Sequence, residues 1–292
     1  MTVDAEFSLL PDNAAEAGLP WRGDPVVRRV CVDLAGGLTV SALAWGDDPA
    51  QVVLLHGGGQ NAHTFDTLAL ALDRPVLALD LPGHGHSSWR PDHDYSPAAL
   101  AEDISAALDV LAPGAQSVVG MSLGGLAALC LAAAHPDQVA RLALIDITPG
   151  TNAAKAEPIL AFMAGPERFA SFDEMLDRTV AFNPTRSVSS LRRGVIHNAR
   201  ELPDGSWTWR WDPEGRTRGA TGFESLWPAV ESVHVPLLLV RGARSSVVSD
   251  DDVAELRHRQ PGAQMELVAD AGHSVQGDQP LALARILDHF LS

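Results

Sequence analysis

Lysine occurs once in this chain of 292 residues, at Lys155, and cysteine only twice, at Cys31 and Cys130. Two distant cysteines without a C-x-x-C spacing supply neither a disulfide framework nor a zinc cluster, so both are expected as small buried apolar side chains. Basic residues number 21 against 37 acidic ones, a net charge of −16. No basic stripe is visible, which argues against nucleic acid and anionic membranes as partners. Also missing is any apolar run near the roughly 18 residues that a bilayer span needs. The opening MTVDAEFSLLPDNAAEAG has no basic segment followed by an apolar block, so no signal peptide and a cytoplasmic location are expected. There are no internal repeats or low-complexity tracts, and no motif with metal-ligand spacing, so neither metal nor cofactor is expected.

What is present is an alternation of strands and helices. Residues 1–25 lack a sustained period and read as an extension that is loose or lies over the surface. VVRRVCVDLAGG and LTVSALAWG, joined across Gly36-Gly37, read as an antiparallel hairpin. Strand-loop-helix units follow: QVVLLHG, PVLALDLPGHG, SVVGMSLGG and VARLALIDITP are apolar strands, with helices between them. The pattern stops over 149–232, a stretch richer in charge that carries Trp207, Trp209 and Trp211 in alternation. It resumes with VPLLLVRG and AQMELVADAGH and ends in the helix PLALARILDHFL. Apolar strands alternating with helices imply a mostly parallel, doubly wound sheet flanked by helices. The divisions are an extension over 1–25, a core from 26–148 and 233–292, and an inserted cap over 149–232.

Several residues carry chemistry. Gly120-Met121-Ser122-Leu123-Gly124 fits G-x-S-x-G between an apolar strand and an apolar helix. In that setting the glycines permit a tight turn that lifts the Ser122 hydroxyl to the sheet edge as a nucleophile; the plainer reading is a helix-capping serine. His56-Gly57-Gly58-Gly59 follows a strand, and small residues there let backbone N–H groups face a developing oxyanion. The donors would be Leu123 and Gly58, less favourably Gly57; His56 more often braces such a loop. His273, after a late strand, suits a general base delivered to the sheet edge. His84 and His86 lie in a loop after a strand, where they could line a site. The Trp207-Trp209-Trp211 alternation suits a strand with one aromatic face, either lining an apolar pocket with Gly57, Gly59 and His84 or filling the cap's own core. Phe162, Met163, Phe169 and Met175 could form a lid face, and Arg192, Arg193 and Arg210 could hold a carboxylate, although solvation is the plainer reading for each. One residue is out of place. LALIDITP is apolar at five positions yet carries Asp146, and an isolated buried carboxylate is costly unless paired.

HGGG, DLPGHGHSS, GMSLGG and AGHSVQGDQP, in this order, resemble an α/β-hydrolase with a cap domain, from about residue 30 onward apart from the cap. The resemblance implies an α/β-hydrolase fold with an eight-stranded sheet and the chain order Ser, acid, His. Most members carry the acid after strand seven as G-x-x-D; here that stretch is Gly242-Ala243-Arg244-Ser245. A smaller set, including bacterial esterases that resemble this chain at IDITP, RGARSSVVS and AGHSV, places it after strand six. Asp146 is therefore assigned as the acid, with Asp250 in reserve, although Ser249-Asp250-Asp251-Asp252 also reads as a helix N-terminus. Asp80 is read as holding the LPGHG loop and Asp278 as capping the last helix.

The expected function is a cofactor-independent serine hydrolase cleaving a carboxylic ester, a lactone or a thioester of a small, largely apolar molecule. C–C bond hydrolysis of a diketone is the alternative on the same scaffold, and a non-catalytic ligand-binding relative is a third reading. Haloalkane and epoxide chemistry is disfavoured, because the relatives that perform it carry Asp at the position of Ser122. Oligomeric state, stereochemistry and the acyl and alcohol groups are not legible.

Overall fold

The computed structural model describes residues 6–215 and 222–292. β1 (Val27–Asp33) and β2 (Thr39–Trp45) form the hairpin across Gly36 and Gly37, both at positive φ. β3 (Val52–Leu55), β4 (Val76–Asp80), β5 (Gln116–Met121) and β6 (Val139–Ile145) follow in the core. β7 (Arg168–Phe169), β8 (Ala199–Glu201) and β9 (Trp207–Trp209) lie in the inserted stretch, before β10 (Leu237–Gly242) and β11 (Gln264–Val268). The main sheet has eight strands in the order β1-β2-β4-β3-β5-β6-β10-β11, with β2 antiparallel to both its neighbours and every other pairing parallel.

The continuous apolar strands follow from burial on both faces. Val53, Leu55, Leu77, Leu79, Leu142 and Leu144 belong to one core, packed under the helices Pro97–Leu111 and Leu123–Ala134. Their neighbours Val52, Leu54, Val76, Ala78, Ala143 and Ile145 belong to the other, under Asp66–Leu72 and Pro280–Leu291. The period of two in side-chain direction thus builds a sheet between two helical layers. Parallel strands all end at one edge, where His56, Asp80, Ser122 and Asp146 each follow or close a strand. The crevice outside those carboxyl ends is the usual place for a ligand in such sheets.

Between β6 and β10 stand the helices Glu157–Met163, Phe172–Phe182 and Val188–Asn198 and an antiparallel three-stranded sheet β7-β9-β8. They share a separate apolar cluster built around Phe169, Met175, Leu191, Trp209 and Trp211. Trp227 and Val230, late in this stretch, pack instead into the main core.

Two expectations need correction. The N-terminal extension contains the helix Leu10–Ala17, ended by Gly18 in the left-handed conformation. Leu10 enters the main core, and Asn13 and Glu16 accept hydrogen bonds from Arg193 of the inserted stretch. An eight-residue helix with three buried positions offers too short a pattern to stand out in the sequence. Cys130 is buried, but Cys31 lies on an edge strand and is exposed.

Candidate active site

Ser122 stands between β5 and the helix Leu123–Ala134 with φ 52° and ψ −119°, a strained conformation for a residue with a Cβ. The turn is so tight that a Cβ on Gly120 would collide with the Gly124 carbonyl, and one on Gly124 with the carbonyls of Leu55 and His56. The serine makes no side-chain capping bond, so its hydroxyl is not spent on the helix. The reading of Ser122 as a simple cap loses its observable.

Asp146, fully buried, follows β6 at φ 50°. Its Oδ2 lies 2.8 Å from His273 Nδ1 and accepts a short hydrogen bond from the Ser245 hydroxyl. Its Oδ1 accepts from the Gly242 N–H at 3.0 Å. These partners make a carboxylate tolerable at the end of an apolar strand. Nε2 of His273 is buried and has no hydrogen-bond partner among the described residues. The loop carrying His273 is held by Asp278, whose Oδ2 accepts from the Gly272 N–H at 2.8 Å; Asp278 therefore fixes this loop rather than capping the last helix, whose N-cap is Gln279. Asp250, the reserve acid, points into solvent with its side chain 95% exposed and pairs with Arg241 at 2.5 Å. It is the first residue of a helix with a Ser249–Asp252 capping box.

The glycine loop supplies two N–H groups of different standing. That of Gly57 already donates to Gln60 Oε1 at 3.1 Å. Those of Gly58 and of Leu123, the first residue of its helix, have no acceptor among the described residues. His56 braces this loop: its Nδ1 pairs with the Gly57 carbonyl at 2.8 Å and its Nε2 accepts from the Leu81 N–H at 2.9 Å. Burial, reinforced by His84 close by, pushes its pKa down to about 3, so it stays neutral in that tautomer. Asp80 ties the same region together through the N–H groups of Ala62 and His86 and the guanidinium of Arg29. Burial opposes its charge, but Arg29 and these donors outweigh burial and hold it below the usual aspartate range.

A family model for the alpha/beta hydrolase fold matches residues 51–280. The chain belongs to the α/β-hydrolase family. It is 49% identical over 290 residues to the esterase Rv0045c of Mycobacterium tuberculosis, covering 97% of this chain and 94% of that one. A crystal structure of that esterase superposes with a TM-score of 0.85 at 47% identity, covering 98% of this chain and 97% of the other. The chain is also 30% identical over 277 residues to the 3-hydroxybutyrate-oligomer hydrolase of Cupriavidus necator, 87% of this chain and 93% of that one.

In this α/β-hydrolase two cavities meet at Ser122, His273 and Gly58. The larger, about 520 Å³, runs under the inserted helices and has a mixed wall, in which Gln60, Lys155, Arg186, Asn198 and Gln276 stand among apolar groups such as Phe162 and Trp209. The smaller, about 100 Å³, is lined mainly by apolar groups, among them Leu126, Ile147, Ile159, Leu160 and Met163. His84 and Trp211 also face the smaller cavity, while Gly57 and Gly59 line the larger. Trp211 and Met163 overhang Gly59, both within 3.6 Å of where its Cβ would stand. Trp209 stacks on Trp211, with ring centroids 4.5 Å apart, and reaches the larger cavity.

Trp207 does not line either cavity. It packs edge-on against Phe172, so the alternation serves the inserted stretch's own core at one end and the cavity at the other. Phe169 and Met175 are likewise buried in that core, while Phe162 and Met163 reach the cavity. Of the arginines singled out in the sequence, Arg193 is committed to Asn13, Ser189 and Glu16, and Arg210 to the Ala199 carbonyl. Arg192 lies over the Phe172 ring. Arg186, which the sequence did not single out, borders the larger cavity beside Gly277 and 3.8 Å from Asp278. Ser245 is the other residue that sequence reasoning passed over in its actual role. Its position in the G-x-x-S stretch was the available signal.

Proposed function

We propose that Ser122, His273 and Asp146 work as nucleophile, base and acid in ester hydrolysis, with the N–H groups of Gly58 and Leu123 as the oxyanion hole. The chain is a carboxylic ester hydrolase of the α/β-hydrolase fold, acting on a small molecule. The observation that carries the reading is the pairing of His273 Nδ1 with a fully buried Asp146 at 2.8 Å, which leaves Nε2 free beside the cavities that Ser122 lines.

Asp146 accepts the Nδ1–H, fixes the tautomer and stabilises the imidazolium. His273 takes the Ser122 proton as the hydroxyl oxygen attacks the ester carbonyl. The two N–H groups stabilise the negative oxygen of the tetrahedral intermediate, a contribution of about 3 kcal/mol for one such donor elsewhere. Collapse expels the alkoxide, which His273 protonates, leaving an acyl-enzyme on Ser122. Water then attacks with its proton passing to His273, and the second tetrahedral intermediate releases the acid and restores the serine.

The two cavities support a substrate with unlike ends. The small apolar one suits a short hydrocarbon portion, and the larger, more polar one suits the bulkier portion with hydrogen-bonding groups. No helix among the described residues is long and apolar enough to cross a membrane.

Mass spectrometry after treatment with an organophosphonate, together with rates on p-nitrophenyl esters of increasing acyl length, tests the proposal. Labelling on Ser122 is expected, with turnover that favours short acyl chains and disappears in Ser122→Ala. Labelling elsewhere, or full turnover by Ser122→Ala, would overturn it.

A further inference from the structure

Among the described residues, four lysine and arginine side chains line the larger cavity, and three of them are committed to a carboxylate at hydrogen-bond distance. Lys155 donates to Asp252 at 2.6 Å and to the Gly150 carbonyl at 2.9 Å. Arg193 is held by Glu16 and Asn13, and Arg244 by Asp270. The imidazole of His63 in the same wall is also enclosed, with Asp66 2.9 Å from its Nδ1 and Glu6 3.2 Å from its Nε2. Arg186 is the exception.

Arg186 closes the turn Asn183-Pro184-Thr185-Arg186 between the inserted helices Phe172–Phe182 and Val188–Asn198, its N–H donating to the Asn183 carbonyl at 3.2 Å. Proline at the second position presets such a turn. The next helix steadies the side chain, whose Nη2 donates to Ser190 Oγ at 2.9 Å. The guanidinium lies against the loop that carries His273: a Cβ on Gly277 would stand 2.7 Å from Nη1, so glycine there leaves it room. Asp278, its ion-pair partner, keeps Oδ1 3.8 Å from Nε, beyond hydrogen-bond reach, and spends Oδ2 on the Gly272 N–H. Nε has no hydrogen-bond partner among the described residues, and Nη1 donates to none of them. Burial presses on the charge, and Arg193 adds to that pressure. Asp278 and Glu16 offset only part of it, so the pKa of Arg186 falls below the usual arginine value. The side chain is 22% exposed, which leaves its head accessible from the cavity.

We infer that Arg186 binds a carboxylate on the alcohol portion of the ester, so that the preferred substrates are short-chain acyl esters of hydroxy acids; this rests on hydrolysis at Ser122 as proposed above. The leaving oxygen takes its proton from His273 Nε2 and must stand beside it, so the alcohol portion extends along the loop of His273. Gly272, Ser274, Gln276 and Gly277 of that loop line the larger cavity with Arg186, whereas Arg186 does not reach the smaller one. Nη1 offers two N–H groups, and a guanidinium meets a carboxylate through parallel charge-assisted bonds that an ammonium does not match. One undercompensated cation answers one negative charge, which favours a carboxylate over a phosphate dianion. In a chain of net charge −16, the cavity thereby gains a local preference opposite to that of the molecule as a whole. The sequence concealed this role because Gly277 and Asp278 meet Arg186 only across the packed insertion.

Acetate esters of ω-hydroxy carboxylic acids of increasing chain length, each paired with its neutral primary amide, test the inference through the acid-to-amide ratio of kcat/KM. At the best length the wild type is expected to favour the acid by about tenfold or more, the scale of a hydrogen bond to a charged partner, with the difference carried mainly by KM. Arg186→Gln should bring the ratio to about one, and Arg186→Lys should keep part of the preference, with folding of each checked by circular dichroism and thermal melting. Monoesters of dicarboxylic acids, which place the carboxylate on the acyl side, should show no preference over their amides. A ratio near one at every length in the wild type overturns the inference. So does a preference that persists unchanged in folded Arg186→Gln, or one confined to the acyl side. Calorimetry of the same pairs with Ser122→Ala reads binding without turnover, and the acid is expected to bind about tenfold more tightly than the amide. Discrimination in binding with no turnover of any ester by the wild type would count against the reading of Ser122 and leave the Arg186 site standing, so the two failures are distinguishable.

Discussion

β6 and β10 are neighbours in the sheet, paired in parallel with Ile145 opposite Val240, yet their ends are furnished differently. One residue past β6 stands Asp146, buried and bonded to His273. Past β10 the chain turns through Ala243 and Arg244 to Ser245, whose hydroxyl donates to Asp146. The first end holds the charge and the second supplies donors to it, the Gly242 N–H included. Adjacent parallel strands finish at one edge, so the strand that bears the acid is exchangeable. What the chemistry requires is a carboxylate at one point in space beside the histidine nitrogen. In this chain the residue standing where G-x-x-D would carry its carboxylate has become a support for a carboxylate that arrives from next door.

Removing the charge should break the comparison most severely. Asp146→Asn is expected to lower kcat about ten-thousandfold, the scale found when a triad acid is lost with the geometry kept; steady-state rates on one ester give the value. Moving the charge sharpens it. The double variant Asp146→Asn with Ser245→Asp should recover at least tenfold over Asp146→Asn alone, measured on the same ester, because the second strand end faces the same point. Removing only the support has a smaller effect. Ser245→Ala takes away one hydrogen bond to a charged group, worth about 1.5–3 kcal/mol, and is expected to lower kcat about tenfold with KM little changed. The smallest effect belongs to Asp250→Asn, which should leave kcat/KM within a factor of about two and cost under 1 kcal/mol in urea unfolding, as an exposed ion pair does.

The same two strand ends indicate what could be read in advance. The pairing of Asp146 was legible because a carboxylate inside an apolar strand needs a partner, and its proposed role as the acid drew on Ser245 standing where the commoner acid would be. The sheet was legible from central strands apolar along most of their length, and the elbow from glycines where a side chain would strike backbone atoms. The support given by Ser245 and Asp278 was not, since each contact joins residues brought together only by the packed loops at the sheet edge. Trp207 and Trp211 share one alternation, yet one faces Phe172 and the other the cavity, because the short strand β9 ends between them. The N-terminal helix escaped notice for a different reason. Its anchors, Leu10 to the core and Asn13 to Arg193, are distant in sequence, and its own apolar pattern spans barely two turns.

Proton NMR of the imidazole N–H of His273 tests the pairing at the centre of this reading most directly. A strongly downfield resonance from the Nδ1–H held by a buried carboxylate is expected in the wild type and in Asp250→Asn, and it should vanish or move far upfield in Asp146→Asn. The same resonance persisting unchanged in Asp146→Asn, and lost in Asp250→Asn, would contradict the assignment of the acid to the end of β6.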